Sequence, residues 1–142
     1  KGTGSAVKFS VIPADGQKDG HLKLTIANQL TADDRTAKRL LYPTFDWDDA
    51  KTAFLDFLDI SKILQVLRGE TEQIEDGRRI YHVSTKGDVY YINLRHVVDP
   101  FVGYVLNVGD RVKEYSISFN SAEALGLTEA IGGAMHRIAF GD

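Results

Sequence analysis

The chain has 142 residues, of which 43% are hydrophobic and 26% charged, with a formal net charge of −3 and no cysteine. This composition is typical of a globular chain with a core of its own, and the absence of cysteine excludes disulfides, thiolate metal sites and thiol catalysis. The negative charge argues against broad attraction to phosphate or anionic lipid, so nucleic-acid binding would require a local basic and aromatic surface.

The first half of the chain predicts strands followed by one helix. Residues 1–5 are set aside as a flexible tail or a vector-derived remnant. Alternating apolar and polar residues predict strands at 6–14 and 21–30. A third strand is predicted at 38–45, at a sheet edge because it contains Pro43, and a fourth at 51–57. Asp59 is predicted to cap a helix over residues 60–68.

The second half predicts the same order of elements more strongly. Runs rich in β-branched and aromatic residues predict strands at 78–84, 89–97, 101–109 and 113–119. Asn120 and Glu123 have the spacing of a capping box and predict a helix start. Apolar residues at helical spacing are then predicted to cover the sheet: Leu127, Ile131, Met135 and Ile138.

The element order predicts an α+β fold made of two β-β-β-β-α repeats, residues 6–69 and 78–142, within a single domain of residues 6–142. A four-stranded sheet with one short helix is difficult to stabilise alone. Two copies can cover each other's apolar faces, which favours antiparallel sheets packed with the helices.

Short segments spread along the chain resemble the Whirly single-stranded-DNA-binding proteins and, more distantly, the eukaryotic transcriptional positive coactivator and the kinetoplastid mitochondrial RNA-binding proteins. The segments are residues 10–13 (SVIP), 45–47 (FDW), 80–82 (IYH), 115–123 (YSISFNSAE) and 135–141 (MHRIAFG). The resemblance implies two packed sheets, single-stranded nucleic acid held along exposed strand faces, and a homo-oligomer. Proteins of this shape occur in plants, in bacteria and in their viruses.

One departure from the plant proteins concerns the first strand. Plant members carry a Lys-Gly-Lys cluster there, tied to DNA binding and assembly, whereas residues 4–8 of this chain read GSAVK. Only Lys8 remains nearby, so the oligomer size and the details of binding do not carry over from the resemblance.

Single strands are bound by aromatic side chains that stack on bases and by cations that follow the phosphates. Alternate residues of a strand point to opposite faces, and on each strand the more apolar set is taken to point inward. Residues of these types in the other set form the candidate interface. That set is Lys8, Lys23, Arg78, His82, Tyr91, Asn93 and Arg95, with Arg39, Tyr42, Trp47 and Lys51 near the first sheet's edge and Phe101 at a strand start.

Three residues of this set share one strand and one face. Tyr91, Asn93 and Arg95 offer a stacking plane, an amide for base edges and a phosphate-binding fork. A solvated strand face explains the same trio, as solubility explains Lys8 and Lys23. Trp47 fits the core or a wedge between sheets as well as a stacking platform.

The last helix carries small residues opposite its apolar stripe, at Gly126, Ala130, Gly133 and Ala134. Small residues let another helix approach closely, so this face and Met135 are predicted to form an oligomer contact or a contact between the two repeats. The alternative is that the glycines relieve crowding over the sheet.

The sequence predicts no enzyme, cofactor or metal site. The four histidines lack metal-ligand spacing, and Asp46, Asp48 and Asp49 fall in a turn, where Asp is favoured for local hydrogen bonding. The leading hypothesis is a protein that binds single-stranded DNA, or RNA, in replication, recombination or transcription and forms a dimer or tetramer. The alternative is a protein-interaction or scaffold module that uses the same sheet.

The expected location is intracellular, either cytoplasmic or nucleoid-associated, or the host cytoplasm for a viral protein. No stretch approaches about eighteen consecutive apolar residues, and residues 1–20 contain no signal-like apolar run. Neither a membrane span nor a membrane partner is therefore predicted.

Overall fold

A computed structural model describes residues 4–30 and 44–142 of the chain. In the first half, strands β1 (Ser5–Ile12), β2 (His21–Asn28) and β3 (Lys51–Leu55) form an antiparallel sheet in the order β1-β2-β3, the first sheet. Helix α1 (Phe57–Leu67) follows β3 directly. Gly4 and Ser5 belong to this sheet's pairing with β2, so the predicted tail includes two residues too many.

The second half forms the second sheet, with the antiparallel order β4-β5-β6-β7. Its strands are β4 (Ile80–Val83), β5 (Val89–Val97), β6 (Gly103–Gly109) and β7 (Glu114–Asn120). Helix α2 (Ser121–Phe140) follows β7 without a linker. The predicted β-β-β-β-α order of this half is confirmed.

The first half matches its predicted strands as far as the structure describes it. Three strands lie in the described residues, and most of the predicted strand at 38–45 lies outside them. Phe45, which is described, forms only an isolated bridge with Gln29. A turn at residues 45–49 is confirmed, because Trp47–Asp49 form a 3-10 helical turn capped by the Asp46 side chain.

The core lies between the inner faces of the two sheets and the two helices. Side chains from β2, such as Leu24 and Ile26, join Ile92 and Leu94 of β5 and Ile131 of α2 in one cluster of buried residues. Burying each such side chain stabilises the fold by roughly 1.5–3 kcal/mol. The α+β class and the packing of antiparallel sheets with helices are thereby confirmed. None of the helices in the described part has the length and hydropathy needed to cross a membrane.

Both helices begin with a capping box. At α2, the Asn120 side chain accepts from the Glu123 N–H while the Glu123 carboxylate accepts from the Asn120 N–H, as the sequence predicted. At α1 the prediction was wrong by one turn. Asp56 is the cap, and Asp59 is the third helical residue, whose carboxylate reaches back to the Asp56 N–H at 3.1 Å.

Two ion pairs connect the sheets. Lys51 Nζ lies 2.8 Å from Asp110 Oδ2, and Lys113 Nζ lies 2.7 Å from Asp49 Oδ2. The hydrogen bond from Lys51 holds the pKa of the Asp110 carboxyl well below its ordinary value, and the bond to Asp49 raises the pKa of Lys113. The Tyr115 hydroxyl also donates to the Asp49 carbonyl oxygen at 2.7 Å. The hairpin between β6 and β7 is therefore fastened to the segment that enters β3.

Candidate nucleic-acid interface

The face of the second sheet that points away from the helices is defined here as the second outer face. Strand register places on it the residues that alternate with the core positions of each strand. Its polar and aromatic side chains are Tyr81, Tyr91, Asn93, Arg95, Asn107, Glu114, Ser116 and Ser118.

Two tyrosines and one arginine form the β4 end of this face. Tyr81 and Tyr91 are paired across β4 and β5, with ring centroids 6.2 Å apart. The Arg79 guanidinium lies 4.7 Å from the centroid of the Tyr91 ring. Tyr91 is therefore enclosed by its neighbours, whereas Tyr81 is 58% exposed. The ring that is open for stacking is Tyr81.

A glycine lets the Tyr91 ring lie across the sheet. Gly109 is the β6 partner of Tyr91, and a Cβ added to it would lie 2.7 Å from the Tyr91 hydroxyl oxygen. The hydroxyl passes over Gly109 and donates to the Glu114 carboxylate on β7. Burial and this bond raise the pKa of Tyr91 to about 12, with burial the larger cause. Tyr91 is thus a protonated hydrogen-bond donor at neutral pH.

Arg95 and Phe101 occupy the other end of the second outer face. Arg95 is exposed, and its guanidinium has no ion-pair partner among residues 4–30 and 44–142. The Phe101 ring, 36% exposed, packs against the outer side of Gly103, where a Cβ would lie 2.9 Å from a ring carbon. The predicted exposure of Arg95 is confirmed, and Phe101 lies at the same face.

The corresponding surface of the first sheet is defined as the first outer face. Lys8 and Lys23 are exposed on it, and Lys8 Nζ lies 3.7 Å from the centroid of the Trp47 ring. The partly buried Trp47 is therefore a cation–π partner of Lys8. Phe54, paired with Lys23 across β2 and β3, is 44% exposed on the same face.

Two predicted interface residues point inward. His82 is paired with the buried Tyr90, and its Nε2 lies 2.6 Å from Oδ2 of Asp59, which is itself only 4% exposed. The prediction that His82 faces outward was wrong, because a buried carboxylate needs a hydrogen-bonding partner and His82 supplies it.

Lys51 was also placed incorrectly. It is paired with Ile26, a core residue, so its side chain leaves the inner side of the edge strand β3 and reaches Asp110. Its nitrogen also lies 5.8 Å from the Tyr90 ring centroid. The Lys51 ammonium is consequently committed to a contact between the two sheets.

The remaining predicted residues have mixed placements. Arg39 and Tyr42 lie outside the described residues. Arg78 is exposed, but it closes the 3-10 turn Ile74–Gly77 and precedes β4, so strand register does not place it on the second outer face. Asn93 lies on that face as predicted, and its Oδ1 is buried without a hydrogen-bond partner in the described part of the chain.

The predicted small-residue face of α2 is partly exposed. Gly126, Ala130 and Gly133 are open to solvent, and Gly126 has no atom near the position of a Cβ. Ala134 is buried, which fits a contact within the chain and not an oligomer contact, and Met135 packs partly against the core. The reason is helical spacing, which places both residues next to the buried Ile131 and Ile138.

The aspartates of the turn near Trp47 have partners within the protein. Asp46 caps the 3-10 turn, and Asp49 pairs with Lys113. Within residues 4–30 and 44–142, no three His, Asp or Glu side chains converge in a way that could hold a metal ion.

Several residues of the second outer face were missed by the sequence analysis. Arg79 and Tyr81 were missed because β4 has only four residues. The sequence analysis took Tyr81 and Val83 as the inward-facing side chains of that strand. Ile80, the largest aliphatic residue of β4, was the available signal. Glu114 was placed on the correct face but not selected, because a carboxylate repels phosphate.

Solved structures with the same arrangement include proteins from plants and trypanosomes. WHY1 from Arabidopsis thaliana matches with a TM-score of 0.67 at 18% identity, over 99% of this chain and 82% of that one. The plant transcriptional regulator PBF-2 matches with a TM-score of 0.63 at 16% identity, over 97% and 86%. A guide-RNA-binding protein complex bound to a gRNA matches at 0.51 and 16% identity, over 93% and 89%.

These likenesses establish the architecture. The chain has the Whirly-like fold that the sequence resemblance implied. The sequence itself matches no protein-family profile and no functionally curated protein.

Proposed function

From the Whirly-like fold and the second outer face, we propose that this chain binds single-stranded nucleic acid and carries out no catalysis. The observation that carries the proposal is the combination, on one exposed sheet face, of an open tyrosine and two exposed arginines: Tyr81, Arg79 and Arg95. Replication, recombination or transcription are the processes in which such binding would act.

Stacking on Tyr81 supplies the sequence-tolerant part of the binding. The ring is more than half exposed, and Tyr91 supports it from the neighbouring strand. Stacking of a base on an aromatic side chain contributes about 1–3 kcal/mol and is available to every base, because every base has a π face.

The arginines supply the phosphate contacts. Arg79 is held over the Tyr91 ring, and Arg95 lies four residues further along β5, about 13 Å away at the rise of a strand. Neither of the two forms an ion pair with another described residue. Two separated cations beside a stacking ring fit a phosphate backbone that follows β5 across the sheet.

The structural neighbours support this proposal by analogy. One of them is a guide-RNA-binding complex bound to its RNA, and another is a plant transcriptional regulator. At 15–18% identity they share the fold with this chain, and fold alone does not assign function. The side chains of the second outer face are therefore the argument specific to this chain.

The test is a fluorescence titration of a labelled mixed-sequence single strand at low and at raised salt. We expect binding that weakens with salt and that falls sharply in the double variant Tyr81→Ala, Arg95→Ala. The control variant Phe57→Ala, Arg68→Ala removes an exposed aromatic ring and an exposed arginine at the two ends of α1. Absence of binding at micromolar protein would reject the proposal and favour the scaffold alternative.

We also propose that the chain self-associates through α2. Its exposed small residues Gly126, Ala130 and Gly133 accompany two exposed large apolar side chains, Leu125 at 64% and Phe140 at 78%. A mass measured by light scattering tests this, with a dimer or tetramer expected. A monomer at micromolar concentration, or a mass unaffected by Ala130→Arg, would contradict it.

A further inference from the structure

A carboxylate lies on the proposed binding face, at the start of β7, where simple phosphate attraction would exclude it. Glu114 is exposed at the start of β7 and faces outward in register with Gly109. A carboxylate repels the phosphates that a single strand carries. If nucleic acid crosses this face, Glu114 must meet the bases and not the backbone.

The Glu114 carboxylate is held in one orientation by two donors. The Tyr91 hydroxyl donates to Oε2, and the Asn107 side-chain amide donates to Oε1 at 2.6 Å. An ionised carboxylate has about four lone-pair sites, so two remain for a further donor. The donors come from β5 and β6, so the carboxylate is oriented before any ligand arrives.

Two asparagines lie on the same face as Glu114. Asn93 is paired with Asn107 across β5 and β6, and its Oδ1 is buried, without a hydrogen-bond partner within the described residues. The Asn107 amide nitrogen is already directed to Glu114. Glu114 is thus the charged, exposed acceptor at this end of the second outer face.

Bases differ in what they offer to such acceptors. Unpaired bases are read on their exposed edges, and Glu and Asp accept from the amino group of cytosine. Adenine and guanine also carry amino groups, whereas thymine and uracil present two carbonyl oxygens beside a single N–H. Those carbonyls would face the Glu114 carboxylate unfavourably.

We propose that Glu114, oriented by Tyr91 and Asn107, makes the second outer face selective for bases that carry an exocyclic amino group over thymine and uracil. This inference rests on the proposed function, because it requires single strands to cross that face. It adds base preference to a stacking and phosphate surface that would otherwise be indifferent to sequence.

The experiment compares three labelled homopolymers of about 16 nucleotides, a length that covers the site sizes common for such proteins. They contain cytosine, thymine, or 2-pyrimidinone, which is cytosine without its amino group. For the native chain we expect the cytosine strand to bind roughly tenfold more tightly than the other two, as one charge-assisted hydrogen bond predicts.

The matched variants are Glu114→Gln and Glu70→Gln, the latter exposed after α1. Glu114→Gln should lower the ratio of cytosine to 2-pyrimidinone affinity towards one, because an uncharged amide oxygen is a weaker acceptor than a carboxylate, while Glu70→Gln should leave the ratio unchanged. Tyr91→Phe, which removes only the orienting hydroxyl, should lower the ratio partially. Thermal melting confirms that each variant is folded.

The outcomes separate the two proposals. If the native chain binds none of the three strands, the proposed function itself fails. If it binds all three equally, or if the ratio persists in both Glu114→Gln and Tyr91→Phe, single-strand binding stands and base selection by Glu114 is overturned.

Discussion

The two outer faces use their charges in different ways. On the first outer face, the described strand residues include Lys8 and Lys23 and no acidic side chain, and Lys8 lies against Trp47. The second outer face carries Arg79 and Arg95 together with a carboxylate and two amides. The first face thus offers cations beside an aromatic ring, whereas the second adds the carboxylate on which the proposed base preference rests. The same sheet-and-helix plan therefore supports two kinds of surface.

The largest effect should come from the open stacking ring. Tyr81→Ala removes the exposed aromatic of the second outer face, and we expect affinity for a mixed-sequence single strand to fall by about 5- to 150-fold, the equivalent of about 1–3 kcal/mol. Trp47 is the counterpart on the first outer face, where Lys8 already occupies the ring. Trp47→Ala should therefore cost less in affinity. The reverse order, measured by fluorescence anisotropy, would show that the first outer face dominates binding.

A second variant disrupts the second outer face without replacing a polar side chain. Gly109→Ala places a methyl group 2.7 Å from the Tyr91 hydroxyl oxygen and 2.9 Å from the Lys113 carbonyl. We expect a loss of about 1–3 kcal/mol in unfolding free energy, measured in urea. The matched change Gly126→Ala lies in open space on α2 and should stabilise by about 0.5–1 kcal/mol. Equal effects of the two changes would mean that Tyr91 tolerates displacement.

The salt dependence distinguishes the cations of the two faces. Each phosphate contact on a single strand contributes about 0.7 to the slope of log affinity against log salt. Arg95→Ala should lower that slope by about this amount, because Arg95 belongs to the second outer face. Lys23→Ala should lower it only if the strand also crosses the first outer face. Arg68→Ala, at the end of α1, serves as the control.

The smallest effect concerns the contact that holds the sheets together. Since the pKa of Asp110 is lowered in the folded chain, its stabilisation is present above the unfolded value near 3.9 and is lost as pH falls through the lower folded value. Asp110→Asn keeps an oxygen for the turn N–H groups of Val112 and Lys113. It should cost about 0.5–1 kcal/mol at neutral pH, and the difference should vanish in acid. A difference that stays the same size as pH falls from 6 to 2 contradicts this assignment.

The sequence was sufficient for the elements with strong local signals. The second half was predicted strand by strand, because its β-branched runs are long and its helix begins with a complete capping box. The start of α1 was misplaced by one turn, because Asp56 and Asp59 are both capable caps and only their reciprocal bonds decide between them. Strong local signals of this kind can be recognised in the sequence, but the choice between two equally suitable capping residues cannot.

The side-chain directions could be predicted only in part. Tyr115 and Phe119 point inward as their alternation indicated, whereas four-residue strand β4 offered too few positions to fix its parity. His82 and Lys51 look like interface residues in sequence, yet each satisfies a carboxylate that is distant in the chain, Asp59 or Asp110. Such pairs are set by tertiary packing, and no spacing in the sequence reveals them.

The position of Lys8 over the Trp47 ring has a consequence for the order of events during binding. An incoming base can occupy that side of the indole only after the ammonium has left it. Engagement there is an exchange, in which the displaced cation becomes free to meet a phosphate of the same strand. The first outer face would thus gain its counter-charge at the moment a nucleotide arrives, and its capture rate would depend on how readily the lysine releases the ring.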